Sequence, residues 1–404
     1  MISIGTDFSG IGSPEQALIK LGVEHKSKFA CDYDKFAKQS YLANYKPDIF
    51  YDDITKRNHK QTPYVDLYVA GFPCQAFSMA GKREGFNDTR GTLFFDLLQY
   101  LNEQKPKYFI LENVVGLLSH DRGRTFQTIL DCLAKTVNKQ YFLTPPQNLG
   151  YHIYYKVLNT KDYGIPQNRE RIFIVGFRED KHSFKFPKKM PLEYSLKDVL
   201  QDNYNSKYLL SQKAINKIER HNNKSLNNNI SNTIHAGYYK QGGRDQQYIP
   251  VDDKYFLSDK MVQGIAKSNF KERKPLDTSG ICSTLKIGGD VPCFDVKGGS
   301  MQPFPRDYKQ KKVKRQLRFE AREDDLANCI LTDSNSSLVK KNKRIRRLTP
   351  LECLRLQGFP DSFYDNCKED GLSDTQLYKQ AGNSMTVDVM AYLIKEILVN
   401  EKSH

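Results

Sequence analysis

The sequence predicts an α/β protein in which helices cover a mainly parallel sheet and a second, smaller domain is rich in loops. Over roughly residues 1–180, short apolar segments alternate with helical ones, as such a sheet requires. After Phe186-Pro187 the chain becomes richer in Asn, Gly, Lys and Gln and loses its helical pattern. Its 404 residues also exceed the ~250–300 at which a single core stops growing.

The start of the chain predicts the first strand and the first helix. Ile2–Phe8 is typical of a buried strand, and Ser13-Pro14-Glu15-Gln16 is typical of a helix start with Ser13 as N-cap. Gly22 is expected to end that helix. The later elements follow in chain order: strand Lys28–Cys31, helix Lys35–Asn44, strand Val65–Ala70, helix Thr92–Asn102, and strands Tyr108–Leu111, Tyr151–Leu158 and Arg171–Phe177.

The change in composition divides the chain into three segments. Residues 1–186 form the predicted α/β domain, and residues 187–343 form the smaller, loop-rich domain. Helical patterning returns at Pro350–Gln357 and Val387–Val399, so we expect residues 344–404 to rejoin the first domain.

Charge favours a polyanionic partner. The formal net charge is +15 and the pI is about 9.2, which is typical of nucleic-acid binding, although a basic surface with no such role is also possible. No apolar run approaches the ~18 residues of a membrane span, and the N-terminus lacks the features of a secretion signal. The eight cysteines include no CxxC pair, so we expect no metal site and reduced thiols in a soluble, cytoplasmic protein.

A glycine turn follows the first predicted strand. Asp7–Gly12 reads Asp-Phe-Ser-Gly-Ile-Gly, and glycines at such a position let the backbone approach a nucleotide-like ligand. Asp32 follows the next strand, where an acid can hold ribose hydroxyls. The third glycine of the dinucleotide pattern is absent, since position 15 is Glu. The turn alone predicts either a cofactor site or a tight structural turn.

A cysteine follows the predicted strand Val65–Ala70 in the segment Gly71–Ser78. Cys74 is therefore placed at the carboxyl edge of a parallel sheet, where ligands bind. The next loop, Ala80–Phe86, has glycines and two cations, as a mobile lid over a phosphate backbone would. An inert thiol is the alternative.

Two further polar segments are predicted at strand ends. Glu112-Asn113-Val114 follows one strand, and Gln167–Arg171 leads into another. One carboxyl group and two guanidinium groups at neighbouring strand ends could act together on a small planar substrate. A surface ion-pair network is the alternative.

In this order and spacing, these segments resemble the motifs of the DNA (cytosine-5) methyltransferase family. The resemblance covers roughly residues 1–180 and 344–400. The matching motifs are Phe8–Gly12, Pro73-Cys74-Gln75, Glu112-Asn113-Val114, Gln167–Arg171, Arg347–Glu352 with its continuation to Pro360, and Gly382-Asn383-Ser384.

The resemblance implies a Rossmann-like fold of the S-adenosylmethionine-dependent methyltransferase type, with residues 187–343 as the target-recognition domain. It implies that Cys74 attacks carbon 6 of cytosine as a thiolate, which makes carbon 5 nucleophilic. Glu112 would bond to N3 and the exocyclic amine, Arg171 would hold O2, and Arg169 would support Cys74 and Glu112 electrostatically. The implied S-adenosylmethionine contacts are Phe8, Gly10, Gly12, Asp32, Tyr33, Asp53, Ile54, Pro73, Leu93, Asn383 and Ser384.

The target base must be flipped out of the duplex to reach such a site. The segment 278–289 resembles the family's recognition loop and Ser268–Lys274 would be the first loop, while Tyr238–Arg244 is a rival and an ordinary hairpin turn is the structural alternative. The DNA contacts expected from the lid and these loops are Ser78, Lys82, Arg90, Lys271, Arg273, Thr284, Lys286 and Gly288.

Three other functions compete with this interpretation. A nicotinamide oxidoreductase would share the glycine turn but leaves Cys74, Glu112 and the two arginines unexplained. A transfer-RNA cytosine methyltransferase is a closer rival, against which the large polar middle domain and the lack of a Cys-Phe-Thr element argue. A catalytically inactive DNA-binding relative would not need all four groups. We therefore predict a monomeric, bacterial or phage-encoded enzyme acting on double-stranded DNA, from a restriction-modification system or as an orphan methylase.

Overall fold

A computed structural model describes most of the chain. It covers residues 1–73, 93–141, 148–180, 184–211, 214–215, 229–240, 246–251, 299–303, 317–321 and 344–401. The chain divides into two compact units, Met1–Ile249 with Arg347–His404 and Pro250–Arg346.

The first unit is built on one large sheet, and the predicted mainly parallel α/β fold is confirmed. Nine described strands lie in the order β3-β2-β1-β4-β5-β9-β8-β6-β7. Strands β1 to β5 pair in parallel, whereas β9 runs antiparallel to both of its neighbours, β5 and β8. The strands are β1 (Ile2–Asp7), β2 (His25–Cys31), β3 (Ile49–Tyr51), β4 (Leu67–Ala70), β5 (Tyr108–Val114), β6 (Ala134–Val137), β7 (Gln140–Tyr141), β8 (Tyr151–Asn159) and β9 (Glu170–Phe177).

Helices pack on both faces of this sheet because its strands alternate between two apolar cores. In β4, Leu67 and Val69 belong to one buried cluster, and Tyr68 and Ala70 belong to the other. The described helices are α1 (Ser13–Lys20), α2 (Lys35–Asn44), α3 (Leu93–Gln104), α4 (Arg124–Leu133), α5 (Leu196–Val199), α6 (Pro350–Arg355), α7 (Asp361–Glu369), α8 (Asp374–Asn383) and α9 (Val387–Glu401). Helices α6 to α9 share the cluster of α1, so the C-terminal segment completes that layer.

The start of α1 differs from the prediction. Gly12, not Ser13, is the N-cap residue, with a left-handed φ of 80° and no side-chain cap. Ser13 Oγ instead donates to the carbonyl oxygen of Met385 at 2.9 Å, so tertiary contact with the C-terminal segment takes the hydroxyl. The predicted end of the helix at Gly22 is confirmed, because the amides of Gly22 and Val23 close it in a Schellman motif.

Strand β5 is longer than its apolar pattern predicts, and this changes the position of a motif. The strand continues to Val114, so Glu112 and Asn113 lie within it and not after it. Antiparallel pairing with β9 causes the extension, since Glu112 lies opposite Phe173 and Val114 opposite Arg171. A pairing between residues so far apart in the chain leaves no local signal.

Capping and ion pairing fix the C-terminal helices. Thr349 and Glu352 form a reciprocal capping box at the start of α6, and the Glu352 carboxylate also accepts the Gln201 amide at 2.7 Å. Arg355 donates two bonds to Asp361 at the start of α7. Residues of the late Arg347–Pro360 motif therefore cap α6 and connect it to α7.

Short strands are described in the remainder of the chain. Within Pro250–Arg346, β11 (Gly299–Pro303) and β12 (Leu317–Ala321) pair antiparallel. Strand β10 (Tyr248–Val251) pairs with β13 (Arg344–Arg347). The assignment of residues 187–343 to target recognition stays a prediction.

Candidate active site

The glycine turn after β1 is held in place by the end of β2. Phe8, Gly10 and Gly12 all have positive φ angles, of 52°, 53° and 80°. The amide and hydroxyl of Ser9 both donate to the Cys31 carbonyl at 3.0 Å. A side chain at Gly12 would come within 2.3 Å of the Tyr45 ring, so the turn needs glycine there for packing as well as for its backbone angle.

Asp32 lies beside this turn, and a second carboxylate, Asp53, lies near Cys31 at the end of β2. Asp32 accepts the Gly10 amide on one oxygen and the Asp34 amide on the other, each at 2.8 Å. Burial raises the pKa of Asp32, and these two bonds oppose the rise. Asp53 accepts the amide and the hydroxyl of Thr55, which lowers its pKa.

These groups suit a nucleoside better than a dinucleotide. A Cβ at Gly10 would meet nothing nearer than the Phe8 carbonyl at 4.0 Å, so the turn borders open space. The Gly10 amide is already taken by Asp32, and Pro14 in the first turn of α1 has no amide proton, so anion-binding donors are few. Carboxylate acceptors fit ribose hydroxyls in either kind of cofactor, so it is the shortage of amide donors for a pyrophosphate that argues against the nicotinamide alternative.

The other predicted cofactor residues differ in exposure. Tyr33 is 84% exposed, whereas Ile54 is buried. Ser384 is buried, and its hydroxyl donates to the Ala381 carbonyl within α8. Pro73 and Asn383 are exposed and Leu93 is half-buried.

The carboxyl edge of the sheet brings Glu112 and Arg171 together, as the strand ends predict. Arg171 Nε lies 3.0 Å from Glu112 Oε1 across the β5–β9 pair. Glu112 is only 9% exposed. Burial raises the pKa of Glu112, and Arg171 and then Arg169 oppose the rise. The carboxyl group therefore holds a proton more readily than an exposed glutamate.

Arg169 is fully enclosed near this pair. Its Nη atoms donate to the carbonyl oxygens of Ile234, Gly382 and Ser384 at 3.0, 3.2 and 2.8 Å. Burial, followed by repulsion from Arg171, lowers the pKa of Arg169 to about 9. Its Nε has no hydrogen-bond partner among the described residues.

A buried amide joins the end of β5 to the segment that leads to Cys74. Asn113 Nδ2 donates to the Phe72 carbonyl at 2.8 Å, and its Oδ1 accepts the Val114 amide at 2.8 Å. A Cβ at Gly71 would lie 3.5 Å from Glu112 Oε2. Gly71, three residues before Cys74, therefore lies beside the Glu112 carboxyl group.

Several predicted site residues lie outside the described part of the chain. They are Cys74, Ser78, Lys82, Arg90, Lys271, Arg273, Thr284, Lys286 and Gly288. Among the residues that the structure does describe, no helix is long and apolar enough to cross a membrane, and no cluster of His, Cys, Asp or Glu could hold a metal ion.

Comparison with known proteins supplies the family. The model of the C-5 cytosine-specific DNA methylases matches residues 5–399. The chain belongs to this family. The enzyme class predicted from the motifs, a DNA (cytosine-5) methyltransferase, is thereby confirmed.

Characterised relatives match this methyltransferase over nearly its whole length. The orphan methyltransferase M.SPRI of Bacillus phage SPR is 30% identical over 98% of each chain. The type II methyltransferase M.Bsp6I of a Bacillus species is 32% identical over the same shares. M.HpaII of Haemophilus parainfluenzae is 33% identical over 97% of this chain and 87% of its own.

Solved structures share the fold of this methyltransferase at lower identity. The Dnmt2 methyltransferase of S. pombe has a TM-score of 0.61 and 16% identity over the whole of both chains. A Spodoptera frugiperda DNMT2 mutant has a TM-score of 0.59 and 18% identity, covering 98% of this chain and 100% of its own.

One prominent feature of the methyltransferase escaped the sequence analysis. Arg57 donates from both Nη atoms to the two oxygens of Asp7, at 2.6 and 2.7 Å, and Tyr68 donates to Asp7 Oδ2 at 2.6 Å. Both charged side chains of the pair are fully buried. Asp7 was visible only as part of the glycine turn, and nothing local in the sequence links it to an arginine 50 residues away.

The closing Gly-Asn-Ser motif also has a packing role in this methyltransferase. A Cβ at Gly382 would lie 2.2 Å from the backbone carbon of His235, so only glycine permits this approach. The carbonyls of Gly382 and Ser384 then receive Arg169. The motif thus positions a predicted catalytic guanidinium as well as the end of α8.

Proposed function

We propose that the protein transfers a methyl group from S-adenosylmethionine to carbon 5 of a flipped-out cytosine in a specific double-stranded DNA sequence, through a covalent Cys74 adduct. The observation that carries the proposal is the position of Glu112. This buried carboxyl group lies beside Gly71, just before Cys74, and is held by Arg171. A thiol, an acid and two guanidinium groups on neighbouring chain segments are what addition to a cytosine ring requires.

Cys74 supplies the nucleophile in this proposal. Its thiolate forms a bond to carbon 6 of cytosine, and the electron pair of the 5,6 double bond moves into the ring. A free thiol with a pKa near ~8.5 is only slightly ionised at neutral pH, so nearby guanidinium charge favours the reactive form. Carbon 5 would then take the methyl group of the bound donor, whose neutral thioether is the leaving group. Loss of the carbon-5 proton to water would finally expel the Cys74 sulfur and restore the double bond.

Glu112 and the arginines stabilise the charge that develops on the ring. A glutamate whose pKa is raised by burial can donate a proton to N3 and accept a bond from the exocyclic amine. In this proposal Arg171, which contacts Glu112 at 3.0 Å, holds O2. Arg169, fixed by three carbonyl oxygens, contributes positive charge without changing position.

The turn after β1 forms the proposed cofactor site. S-adenosylmethionine, when bound, supplies an electrophilic methyl group on a sulfonium centre. Asp32 and Asp53 offer carboxylate acceptors to its hydroxyl and amino groups, and exposed Tyr33 offers a ring face. The open space at Gly10 lets the backbone come close to the ligand.

The basic chain is proposed to hold DNA through the middle domain and the lid. The net charge of +15 supports contact with phosphates. Of the alternative recognition segments, Tyr238–Arg244 begins with a tyrosine that is only 1% exposed and packs in the core, so its described residues do not favour it as a DNA-facing segment. The segment 278–289 and the loop Ser268–Lys274 stay the proposed DNA contacts. A monomer acting in the bacterial cytoplasm, in a restriction-modification system or as an orphan enzyme, completes the proposal.

Covalent trapping tests the proposal directly. The probe is duplex DNA amplified with 5-fluoro-deoxycytidine triphosphate, so that every sequence context contains the analogue. Because fluorine at carbon 5 cannot leave as a proton does, the enzyme with S-adenosylmethionine should form an adduct that survives denaturing electrophoresis. Cys74→Ser should abolish the adduct, and Cys132→Ser, which removes a half-buried thiol of α4, should retain it.

The same assay separates the rival functions. Absence of an adduct with the wild type, or an adduct that persists in Cys74→Ser, would overturn the proposed chemistry. An adduct with 5-fluorocytosine transfer RNA but not with duplex DNA would transfer the proposal to the transfer-RNA class.

A further inference from the structure

The pair Asp7–Arg57 lies directly beneath the proposed cofactor turn. Asp7 is the last residue of β1, and the turn starts at Phe8. Both Asp7 oxygens are bonded to Arg57, and Tyr68 Oη adds a third bond from β4. Because these bonds hold the Asp7 side chain in place, the backbone at Asp7, from which Phe8 and the turn continue, has little freedom to move.

An aromatic enclosure surrounds the guanidinium group. The centre of the Arg57 guanidinium lies 4.9 Å from the Phe29 ring centroid, 5.2 Å from Tyr51 and 5.4 Å from Tyr100. Ring faces at these distances attract a cation, and they exclude water from the pair. Arg57 thus has one favourable position, bidentate to Asp7.

The ion pair connects the two chain segments that the proposed cofactor site needs. On one side, Asp7 precedes the turn Phe8–Gly12. On the other, Arg57 ends the short 3-10 helix Ile54–Lys56, whose N-cap is Asp53. The bonds between Arg57 and Asp7 therefore set the distance between the turn and the Asp53-Ile54 segment.

The turn also contains a residue that must be held against its preference. Phe8 is not glycine, yet its φ is 52°, and such backbone conformations persist only where the surroundings fix them. After Phe8, the turn is fixed by the bond from Ser9 to the Cys31 carbonyl and by the bond from the Gly10 amide to Asp32. Before Phe8, the turn is fixed by Asp7.

We infer that Asp7, Arg57 and Tyr68 are positioning residues that preorganise the cofactor site by fixing the glycine turn relative to the Asp53-Ile54 segment. They act through the backbone and not by contact with the ligand. The inference rests on the proposed function, because it assumes that these two segments hold S-adenosylmethionine.

Two matched tyrosine variants test the inference on the full-length protein. Tyr68→Phe removes the hydroxyl bond to Asp7, whereas Tyr100→Phe removes a hydroxyl bond to the Pro63 carbonyl at 2.9 Å. Both rings are fully buried, and their centroids lie 4.8 Å apart. Each variant keeps its ring and loses one hydroxyl hydrogen bond, but only Tyr68→Phe loosens Asp7.

The main readout is the affinity for S-adenosylhomocysteine, measured by titration calorimetry without DNA. Tyr68→Phe should bind about tenfold more weakly than the wild type, equal to ~1.4 kcal/mol, while Tyr100→Phe binds as the wild type does. In methylation assays, KM for S-adenosylmethionine should rise in Tyr68→Phe while kcat at saturation stays near the wild-type value. Arg57→Lys, which keeps the charge but loses the bidentate geometry, should weaken binding further.

The outcomes separate the inference from the function on which it rests. Equal affinities in the two tyrosine variants, whether both reduced or both unchanged, would overturn the positioning role. A wild-type protein that binds no S-adenosylhomocysteine would instead overturn the proposed cofactor site.

Discussion

Two acid–arginine pairs lie at the ends of strands in the same sheet, and they differ in how completely each is satisfied. Asp7 and Arg57 are wholly buried, with both carboxylate oxygens and both Nη atoms bonded. Glu112 and Arg171 are joined at 3.0 Å through one oxygen and Nε, and their side chains keep 11% and 18% exposure. No hydrogen bond joins Glu112 Oε2 to another described residue.

The difference separates a supporting pair from a reacting one. A buried ion pair recovers the cost of leaving water only when its geometry is nearly complete, as it is for Asp7 and Arg57. Apart from Arg57 Nε, which has no hydrogen-bond partner among the described residues, the charged atoms of this pair are bonded to each other, and full burial keeps a substrate from reaching them. Among the described residues, Glu112 Oε2 has no hydrogen-bond partner, and burial raises the pKa of this carboxyl group; both are properties expected of a group that exchanges a proton with a ring.

The largest expected effect is on the reacting pair. Glu112→Gln keeps the size and the contact with Arg171 but removes the transferable proton. We expect kcat to fall by roughly 10²–10⁴-fold, the usual contribution of general acid catalysis. Steady-state methylation of DNA at saturating S-adenosylmethionine measures the change.

Glu170→Gln is the matched control. Glu170 is the first residue of β9, next to Arg171, and is exposed. It should retain kcat within about threefold of the wild type, because effects on exposed charges are small. A similar loss in both variants would mean that Glu112 acts only through the general charge of the site.

The next largest effect is on stability, and it is expected for the supporting pair. Arg57→Met leaves the Asp7 carboxylate buried without its partner and should lower the free energy of unfolding by ~3–5 kcal/mol. Arg171→Met should lower it by less than ~1 kcal/mol, because Glu112 can take up a proton when its partner is lost. Urea unfolding at pH 7 followed by circular dichroism compares the two variants, and equal losses would refute the distinction.

Only one of these two pairs could be predicted from the sequence. Glu112 and Arg171 belong to motifs that the sequence places at strand ends. They lie at one edge because the start of β9 pairs antiparallel with the end of β5, a pairing that the motifs do not themselves specify. The Asp7–Arg57 pair depends on the path of the chain between β3 and β4, which has no periodic pattern. The three carbonyl partners of Arg169 were equally invisible, because Ile234, Gly382 and Ser384 are brought together only by tertiary packing.

The contribution of Glu112 to the free energy of unfolding should depend on pH. Burial raises the pKa of Glu112, so the folded protein binds this proton more tightly than the unfolded chain. The stability contributed is fully present below the unfolded value of about 4.3 and is lost as pH rises through the folded pKa. Glu112→Gln lacks this dependence.

The variant should therefore gain stability relative to the wild type as pH rises above about 4.3, and the gain should level off beyond the folded pKa. Urea unfolding of both proteins across this pH range measures the difference between their free energies of unfolding. The wild-type kcat should decline over the same upper limb, since the proposed chemistry uses the protonated acid. A gap that does not change with pH would show that Glu112 ionises as an exposed glutamate does.

The smallest effect is expected from a third pair that has the bond length of the first but not its burial. Lys38 Nζ lies 2.7 Å from Asp52 Oδ1, yet the two side chains are 32% and 74% exposed. Asp52→Asn should change the free energy of unfolding by no more than ~0.5 kcal/mol, because water already solvates both charges. A loss near that of Arg57→Met would show that contact distance, and not burial with complete bonding, sets the strength of these pairs. A loss below the error of urea unfolding would leave burial as the property that makes the Asp7–Arg57 pair structural and the Glu112–Arg171 pair available for chemistry.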